Sequence, residues 1–432
     1  MWLASMRCPK CGLIQRQSAT CKACGTAVSG DQVLSPGPAP AQMKRAAPPT
    51  PSAPPPPEAQ QKPFPTGTLP GEARRLFFHG AEGSLFGIQI VNMFLSLLTL
   101  GFYSFWGKVK IRRYLMSQTE FEGDRFAYHG TGKELLIGSL KAGLVFGVPI
   151  ALLNILPTLL GGGAVLTIIS GLLIYNIIMV FIPFATVGAR RYRLSRTSWR
   201  GVRFSFRGRV LDFIKLFITG SFLTTITLGL YYPFFDTKRY DFLVSNSYFG
   251  NQRFRFDGNG RDLFFSYLLA LLLSVITLGF YWFWFLAKKQ RYLTEHTSFA
   301  SARFRSTVTG SRLLVLMLGN FLLLSAPLIL ALIAAAGVLL LLGLGQGFQE
   351  TVAILAAGGK ELWLTIGAGA AAGFVGWFLS WSFITLRNMR FAMAYLTLDG
   401  PLDLAPIQQE AQTASATAEG LAGFLDMDLD LG

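Results

Sequence analysis

Charged residues are scarce in this sequence. They account for 14% of its 432 residues, whereas hydrophobic residues account for 51%, and an ordinary soluble domain is about one-quarter charged. Several apolar runs also reach the roughly 20 residues that a helix needs to cross a bilayer. The composition therefore argues against a soluble domain and predicts a multi-pass helical membrane protein.

Histidine is rarer still, with three residues in the whole chain. His79 and His129 occupy the same place in successive copies of a repeated motif, and other copies carry Arg207 and Asp257 there. A position that accepts any polar side chain is more typical of a turn than of catalysis. Because no nucleophile, base and orienting group can be assembled from the spacing, we expect no enzymatic activity.

Lysine and arginine are absent beyond Arg390, although the formal net charge of the chain is +16. The basic residues lie instead in short segments that flank apolar runs, such as Lys108–Arg113 and 190–209. This distribution is typical of cytoplasmic loops under the positive-inside rule, and it argues against a nucleic-acid partner. Basic segments of this kind also suit a lipid bilayer with anionic headgroups, which we expect as the partner.

All four cysteines lie close to the N-terminus, in two Cys-x-x-Cys pairs, Cys8 with Cys11 and Cys21 with Cys24. Two such pairs supply the four thiolates of a closed tetrahedral zinc site. The alternatives are two disulfides or unused thiols. We expect a structural Zn²⁺ in a small zinc ribbon over residues 1–30 that faces the reducing cytosol. No apolar core of a signal peptide precedes it.

Two further segments are expected to be disordered. Residues 31–73 are rich in Pro and Ala, include Pro54–Pro57, and predict a flexible linker. Residues 401–432 form an acidic tail that ends in alternating acidic and apolar residues over 424–431. That tail either stays solvated or binds a protein partner.

A repeat fills the chain between these segments. Three apolar runs end in Thr-Leu-Gly, one Phe or Leu, and Tyr, and each is followed by a basic segment that closes in Arg-Tyr. Alternating stretches such as Arg253–Phe256, around Gly-containing turns, predict short β-hairpins. Five units result, at about 76–123, 124–201, 202–250, 251–301 and 302–400. The motif positions in the three Thr-Leu-Gly copies are Thr99, Gly101, Tyr103, Arg113, Tyr114, Thr227, Gly229, Tyr231, Arg239, Tyr240, Thr277, Gly279, Tyr281, Arg291 and Tyr292.

We therefore predict an all-α integral membrane fold over 74–400. It is a multi-pass helical bundle of five repeated units, with small β-hairpins in its cytoplasmic loops. The strand around Phe77 has no preceding partner, and the strand Leu396–Leu398 has no following one. We expect these two strands to pair and to close the set of units.

The membrane runs have two sizes. Units two and five each hold two spans, at 135–160 with 163–187 and at 313–343 with 362–386. The other units hold one run each, at 85–106, 211–235 and 262–286. If those three runs were plain spans, basic segments would fall on alternating faces of the membrane, against the positive-inside rule. The alternative is re-entrant helices, in which Thr and Gly help to satisfy a broken backbone. The sequence leaves both alternatives open.

The stretch Thr99–Leu115, followed by Phe126–Leu136, resembles the YjgN-like family of bacterial inner-membrane proteins, a domain of unknown function. The resemblance covers residues 74–400. It implies a multi-pass location in the bacterial inner membrane, with the zinc ribbon as an addition on the cytoplasmic side. It implies no established activity and supplies no catalytic residues.

From these features we expect membrane transport or permeation of an unknown solute, because discontinuous helices build binding sites in transporters. The alternative is a non-transporting scaffold that recruits partners through its zinc ribbon and its acidic tail. A polar cavity at the Thr-Leu-Gly breaks favours transport, whereas close apolar packing there favours a scaffold.

Overall fold

The computed structural model describes residues 74–343 and 360–409, and two short strands near the N-terminus. Those strands, β1 (Ser5–Arg7) and β2 (Ile14–Arg16), pair antiparallel as a hairpin. They belong to one compact unit, Met1–Glu58, and Ala59–Gly432 forms the other. The four cysteines predicted to bind zinc, the predicted linker and residues 410–432 lie outside the described residues.

The second unit contains ten strands and eleven described helices. The strands are β3 (Arg74–Phe78), β4 (Thr119–Phe121), β5 (Asp124–Tyr128), β6 (Thr197–Trp199), β7 (Val202–Phe206), β8 (Ser247–Phe249), β9 (Gln252–Phe256), β10 (Thr297–Phe299), β11 (Ala302–Ser306) and β12 (Leu396–Asp399). The helices are α1 (Glu82–Leu98), α2 (Ser104–Ser117), α3 (Gly132–Ala142), α4 (Val148–Leu159), α5 (Ala164–Ser195), α6 (Val210–Ile226), α7 (Tyr232–Ser245), α8 (Gly260–Ile276), α9 (Trp282–Glu295), α10 (Gly310–Gly343) and α11 (Lys360–Ala394), with a π-helical turn at Gly143–Gly147.

The ten strands form one closed antiparallel barrel. Each predicted hairpin pairs with the next one, as where Phe126 of β5 faces Trp199 of β6. The predicted fold class, an all-α bundle with separate small hairpins, is therefore wrong. The physical reason is that an isolated hairpin leaves two unpaired edges and one uncovered apolar face, and closure into a barrel removes both.

The predicted pairing of the first and last strands is confirmed. In the register of β12 with β3, Thr397 faces Arg75 and Leu398 faces Arg74. Arg390 strengthens the same closure, because its guanidinium donates to the carbonyl oxygen of Gly80 at 2.9 Å. Residues more than 300 positions apart in the chain thus complete the ring.

Five strand–helix–strand units follow one another around the barrel. In each unit the chain leaves a strand, runs through its helices and returns to the neighbouring strand. In two units a tyrosine of the returning helix bonds to the residue before the first helix. The Tyr114 hydroxyl donates to Ala81 O at 3.0 Å, and the Tyr292 hydroxyl donates to Asn259 O at 3.1 Å. The helical segments therefore all leave and re-enter at one end of the barrel, and the tight strand turns lie at the other end.

Helix length separates the units into two kinds. Units two and five contain four helical segments long and apolar enough to cross a membrane, at Gly132–Leu159, Ala164–Ser195, Gly310–Ala334 and Gly367–Ala394. In the other units the first helix, α1, α6 or α8, has 17 residues, about 25 Å. It turns back at the Thr-Leu-Gly motif, and its partner, α2, α7 or α9, returns to the barrel. The three runs are therefore helical hairpins that return to the barrel, as the re-entrant alternative predicts, and we call them the re-entrant hairpins.

The packed chain continues past Gly400. Leu404 and Ile407 are buried against the barrel at its turn end. The side-chain amide of Asn251 donates to Pro406 O at 3.3 Å, and the Gln409 side chain accepts the Arg203 N–H at 2.7 Å. We call residues 400–409 the C-terminal cover, because they lie across the strand turns. The packed domain extends past the predicted boundary at residue 400.

Candidate functional site

The three Thr-Leu-Gly motifs form the same turn at the tips of the re-entrant hairpins. The Thr277 hydroxyl donates to Leu273 O at 2.7 Å and accepts the Tyr281 N–H at 3.0 Å. Gly279 has a φ of 87°, in the region that favours glycine. Thr99 and Thr227 make the same two bonds in their own turns. The hydroxyl thus supplies partners for backbone groups that lipid cannot satisfy.

The tips themselves are apolar and uncovered. Leu100, Leu228 and Leu278 are 91%, 92% and 88% exposed. Such side chains suit insertion into hydrocarbon, where their transfer from water is favourable. Two cavities lie along the barrel axis, away from these tips: one inside the barrel and one at its helix end.

Replacing Thr227 by valine is expected to destabilise the protein by about 1–3 kcal/mol, because the Tyr231 N–H loses its acceptor at an apolar tip. Thr225→Val in the same helix is the matched control. The Thr225 hydroxyl only donates to Ser221 O, so that change should cost less than about 0.5 kcal/mol. Denaturant unfolding of both variants in the same micelles measures the difference, and equal losses would contradict the assigned role.

The predicted Arg-Tyr pairs do not all occupy one structural position. Tyr114 and Tyr292 lie at matching distances before the strand that follows them, and each contacts the start of its unit's first helix. In unit three that position belongs to Phe242, which packs at Gly208. Tyr240 lies two positions earlier and faces the barrel axis, where its hydroxyl lies 3.3 Å from Thr297 Oγ1. The Arg239-Tyr240 match in the sequence was therefore out of register.

The barrel interior, which we call the lumen, is an aromatic cavity of about 240 Å³. Each strand contributes at least one large apolar side chain, and the rings pack closely, as where the centroids of Phe254 and Phe299 lie 4.6 Å apart. The described residues that line the lumen are all Leu, Phe or Trp. The eleven strand residues are Leu76, Phe121, Phe126, Trp199, Phe204, Phe249, Phe254, Phe299, Phe304, Leu396 and Leu398, the last two both on β12.

A second cavity, the vestibule, lies at the helix end of the barrel and has a volume of about 310 Å³. It shares four wall residues with the lumen: Phe204, Phe254, Phe304 and Leu396. Its remaining wall is partly polar, with the side chains of Arg190, Tyr240, Ser247, Thr294 and Thr297. The axis of the molecule therefore changes from polar at the helix end to wholly apolar inside the barrel.

The polar groups of the vestibule are held in place by bonds between units. Arg190 Nε donates to Ser247 Oγ at 3.3 Å. Burial raises the pKa of Tyr240, while its hydrogen bond with Thr297 and the charge of Arg190 lower it in part. The Tyr240 hydroxyl thus keeps its proton at neutral pH and can donate. One cation and several hydroxyls thus form part of the vestibule wall.

The turn end of the lumen is closed by the C-terminal cover. Leu402 and Leu404 form part of the lumen wall, and Ile407 packs in the same cluster. The Ser301 hydroxyl bonds to the carbonyl oxygen of Pro401 at 2.5 Å. In the described part of the chain the axis is thus a blind pocket that faces the helices.

Sequence reasoning found the alternating aromatic residues but missed the lumen they form. The signal was present, since one apolar residue recurs at the same place in strand after strand. The predicted zinc ligands cannot be compared with the structure, because they lie outside the described residues, and the zinc site stays a prediction. Among the residues that are described, no three His, Cys, Asp or Glu side chains come together as metal ligands would.

Curated relatives of the chain carry the name inner membrane protein YjgN. The one from Salmonella typhimurium is 33% identical over 132 residues, 31% of this chain and 31% of the relative. The one from Escherichia coli K12 is 33% identical over 129 residues, 30% of each chain. The chain thus matches about a third of the length of these relatives. Its four membrane-length helical segments fit their membrane location.

No solved structure matches the chain. One protein family does, and it is described as bacterial protein of unknown function (DUF898). Its matches cover residues 73–278, 252–342 and 277–424. These ranges include all five units of the barrel and its helices, so the chain belongs to this family.

Proposed function

We propose that the protein binds the hydrocarbon part of an amphiphile in its lumen, and that it transports or passes amphiphiles, not polar solutes. The wholly apolar wall of the lumen is the observation that carries the proposal. A polar solute would lose its water there and gain no hydrogen bond, at a cost of several kcal/mol. A hydrocarbon chain instead gains about 0.8 kcal/mol for each buried CH₂ group. Apolar cavities in proteins bind such ligands readily.

The vestibule supports an amphiphile over a simple hydrocarbon. A polar headgroup would lie beside Arg190, Tyr240 and the hydroxyls of Ser247 and Thr297 while its chain enters the lumen. The cation favours a negative headgroup. With about 310 Å³ in the vestibule and 240 Å³ in the lumen, the space suits one chain and one small head.

The membrane side of this proposal rests on charge. Basic residues are concentrated near the barrel, on its outer strand faces and along the returning helices, which under the positive-inside rule supports a barrel on the cytoplasmic side. The helices then enter the inner membrane, and the vestibule faces the bilayer. An amphiphile would enter from the cytoplasmic leaflet, and the predicted zinc ribbon would lie in the cytosol.

A photoactivatable fatty acid tests the proposal on the full chain. With a diazirine near the chain terminus, cross-linked peptides should come from β7, β9 and β11, which carry Phe204, Phe254 and Phe304. Leu76→Trp fills the lumen and should reduce labelling by about tenfold. Phe77→Trp is the matched control, because Phe77 is 54% exposed on the next position of the same strand. Labelling confined to lipid-facing helices would overturn the proposal.

A non-transporting scaffold is the second candidate, and the closed turn end of the lumen favours it. The C-terminal cover contributes Leu402 and Leu404 to the lumen wall at that end and is held there by the bond from Ser301 to Pro401 O. A scaffold would give no lumen labelling in the same experiment. Its partners would bind the predicted zinc ribbon or the acidic tail.

A further inference from the structure

A groove between α8 and α9 is lined by two basic side chains, Lys288 and Arg291. Its volume is about 460 Å³, and α9 supplies one continuous face of it. From the hairpin tip toward the barrel, the groove is lined by Tyr281, which precedes α9, and then by Trp284, Lys288 and Arg291 of α9. Glu295 lies one turn beyond Arg291. Because the lining contains two cations and this one carboxylate, its net charge is positive.

In three other units the arginine at the position of Arg291 is already engaged in a hydrogen bond. Arg113, Arg191 and Arg390 donate to the backbone carbonyls of Gly130, Gly208 and Gly80 at 3.4, 2.8 and 2.9 Å. Arg291 holds the same position in unit four, and its side chain is exposed instead. Across the described part of the chain the structure gives neither Arg291 nor Lys288 an ion-pair or hydrogen-bond partner.

Lys288 also differs from its counterparts. In unit three Lys238 donates to the Tyr231 hydroxyl at 3.1 Å, and in unit one Lys110 lies 5.2 Å from the centre of the Tyr103 ring. In both of these units the lysine amine therefore lies against the tyrosine at the hairpin tip. All three units stack this tyrosine on an aromatic ring, as Tyr281 stacks on Trp284 with 6.3 Å between ring centres, but in unit four Lys288 is exposed beside the groove.

The order of residues along the groove matches the layers of a membrane interface. Leu278 and Phe280 at the tip are 88% and 54% exposed, as suits the acyl region. Tyr and Trp follow, which are the residues enriched at headgroup level. Lys288 and Arg291 lie about 6 and 10 Å farther along the helix than Trp284. A phosphate at the membrane surface would meet both cations.

We propose that this groove binds an anionic glycerophospholipid of the cytoplasmic leaflet, with its phosphate held by Lys288 and Arg291 and its chains along Trp284 and Leu269. The site is separate from the lumen and does not depend on the function proposed for it. It ties one re-entrant hairpin to a particular lipid class, beyond the general attraction of basic segments for an anionic surface.

Native mass spectrometry of the detergent-purified full chain tests this site with dioleoylphosphatidylglycerol and dioleoylphosphatidylcholine as probes. We expect the affinity for the first bound molecule of phosphatidylglycerol to be at least tenfold higher than the affinity for the first bound molecule of phosphatidylcholine. The double variant Lys288→Gln/Arg291→Gln should lose that preference. Lys238→Gln should retain it, since that amine is already bonded to Tyr231. A preference that survives in the double variant would overturn the proposal.

Two further variants keep the result interpretable. Leu269→Trp fills the groove and leaves both charges in place, so it should weaken phosphatidylglycerol binding even if the double variant folds poorly. Leu76→Trp fills the lumen and should leave the preference unchanged, which separates this site from the lumen. Added inorganic phosphate should not compete at millimolar concentration; displacement of the lipid by it would mean that the groove is a soluble-phosphate site and would also overturn the proposal.

Discussion

Replacing Phe254 by aspartate is expected to prevent the protein from accumulating in folded form. The Phe254 ring packs on Phe299 in the lumen, with 4.6 Å between ring centres. Phe254 is partly buried, so loss of its ring costs up to about 3–5 kcal/mol, the cost for a buried phenylalanine, and an unpaired carboxylate at an apolar wall costs several more. That sum approaches the whole stability of a typical domain, about 5–15 kcal/mol. The yield of monodisperse protein from membranes measures the effect.

Arg255→Asp is the matched control for this prediction. The introduced side chain is the same and the position is the next one on β9, but Arg255 is exposed on the outer face of the barrel. We expect its cost to stay within about 1 kcal/mol, as for other surface changes. If both variants accumulated equally well, β9 would not present Phe254 to a closed apolar interior.

Deleting residues 401–432 is expected to destabilise the barrel by roughly 3–6 kcal/mol, because Leu404 and Ile407 each contribute about 1.5–3 kcal/mol by their burial. The deletion also uncovers the turn end of the lumen. Thermal unfolding in micelles should therefore shift to lower temperature, and a dye that reports apolar surface should bind to the folded chain.

A shorter deletion, of residues 410–432, separates the C-terminal cover from the tail beyond it. It keeps Leu402, Leu404, Ile407 and the Gln409 side chain that accepts the Arg203 N–H. We expect the unfolding temperature of this variant to equal that of the full chain. A similar loss of stability in both deletions would show that the packing of the C-terminal cover is not what stabilises the turn end.

Local patterns in the sequence predicted much of this architecture. The repeat of apolar run, Thr-Leu-Gly and basic segment divided the chain into five units, and the strands at its two ends were expected to pair. The aromatic-x-Gly motif also has a local cause. A Cβ atom on Gly80 would lie 2.4 Å from the Phe78 ring, so only glycine fits after that strand.

The barrel as a whole escaped prediction because its pairings are not local. The partner of β5 is β6, and the chain between them runs through α3, α4 and α5. A hairpin pattern specifies its own turn, but it does not specify what pairs with its outer edges. The same limit explains the misplaced Arg239-Tyr240 motif. The prediction matched the two residue types and ignored their spacing to the next strand, which differs from that of the other copies. The C-terminal cover was missed because its apolar residues lie in a segment without periodicity.

The central claim is that the helices of all five units leave the barrel and return to it at the same end. Single cysteines at Glu122, Asn251 and Ser301, at three strand turns of a chain without its native cysteines, test it most directly through an impermeant thiol reagent on intact cells. We predict that all three stay unlabelled until the membrane is opened and then react together. If Asn251 reacted from the opposite side to Glu122 and Ser301, the Thr-Leu-Gly runs would be plain spans and the closed barrel could not exist.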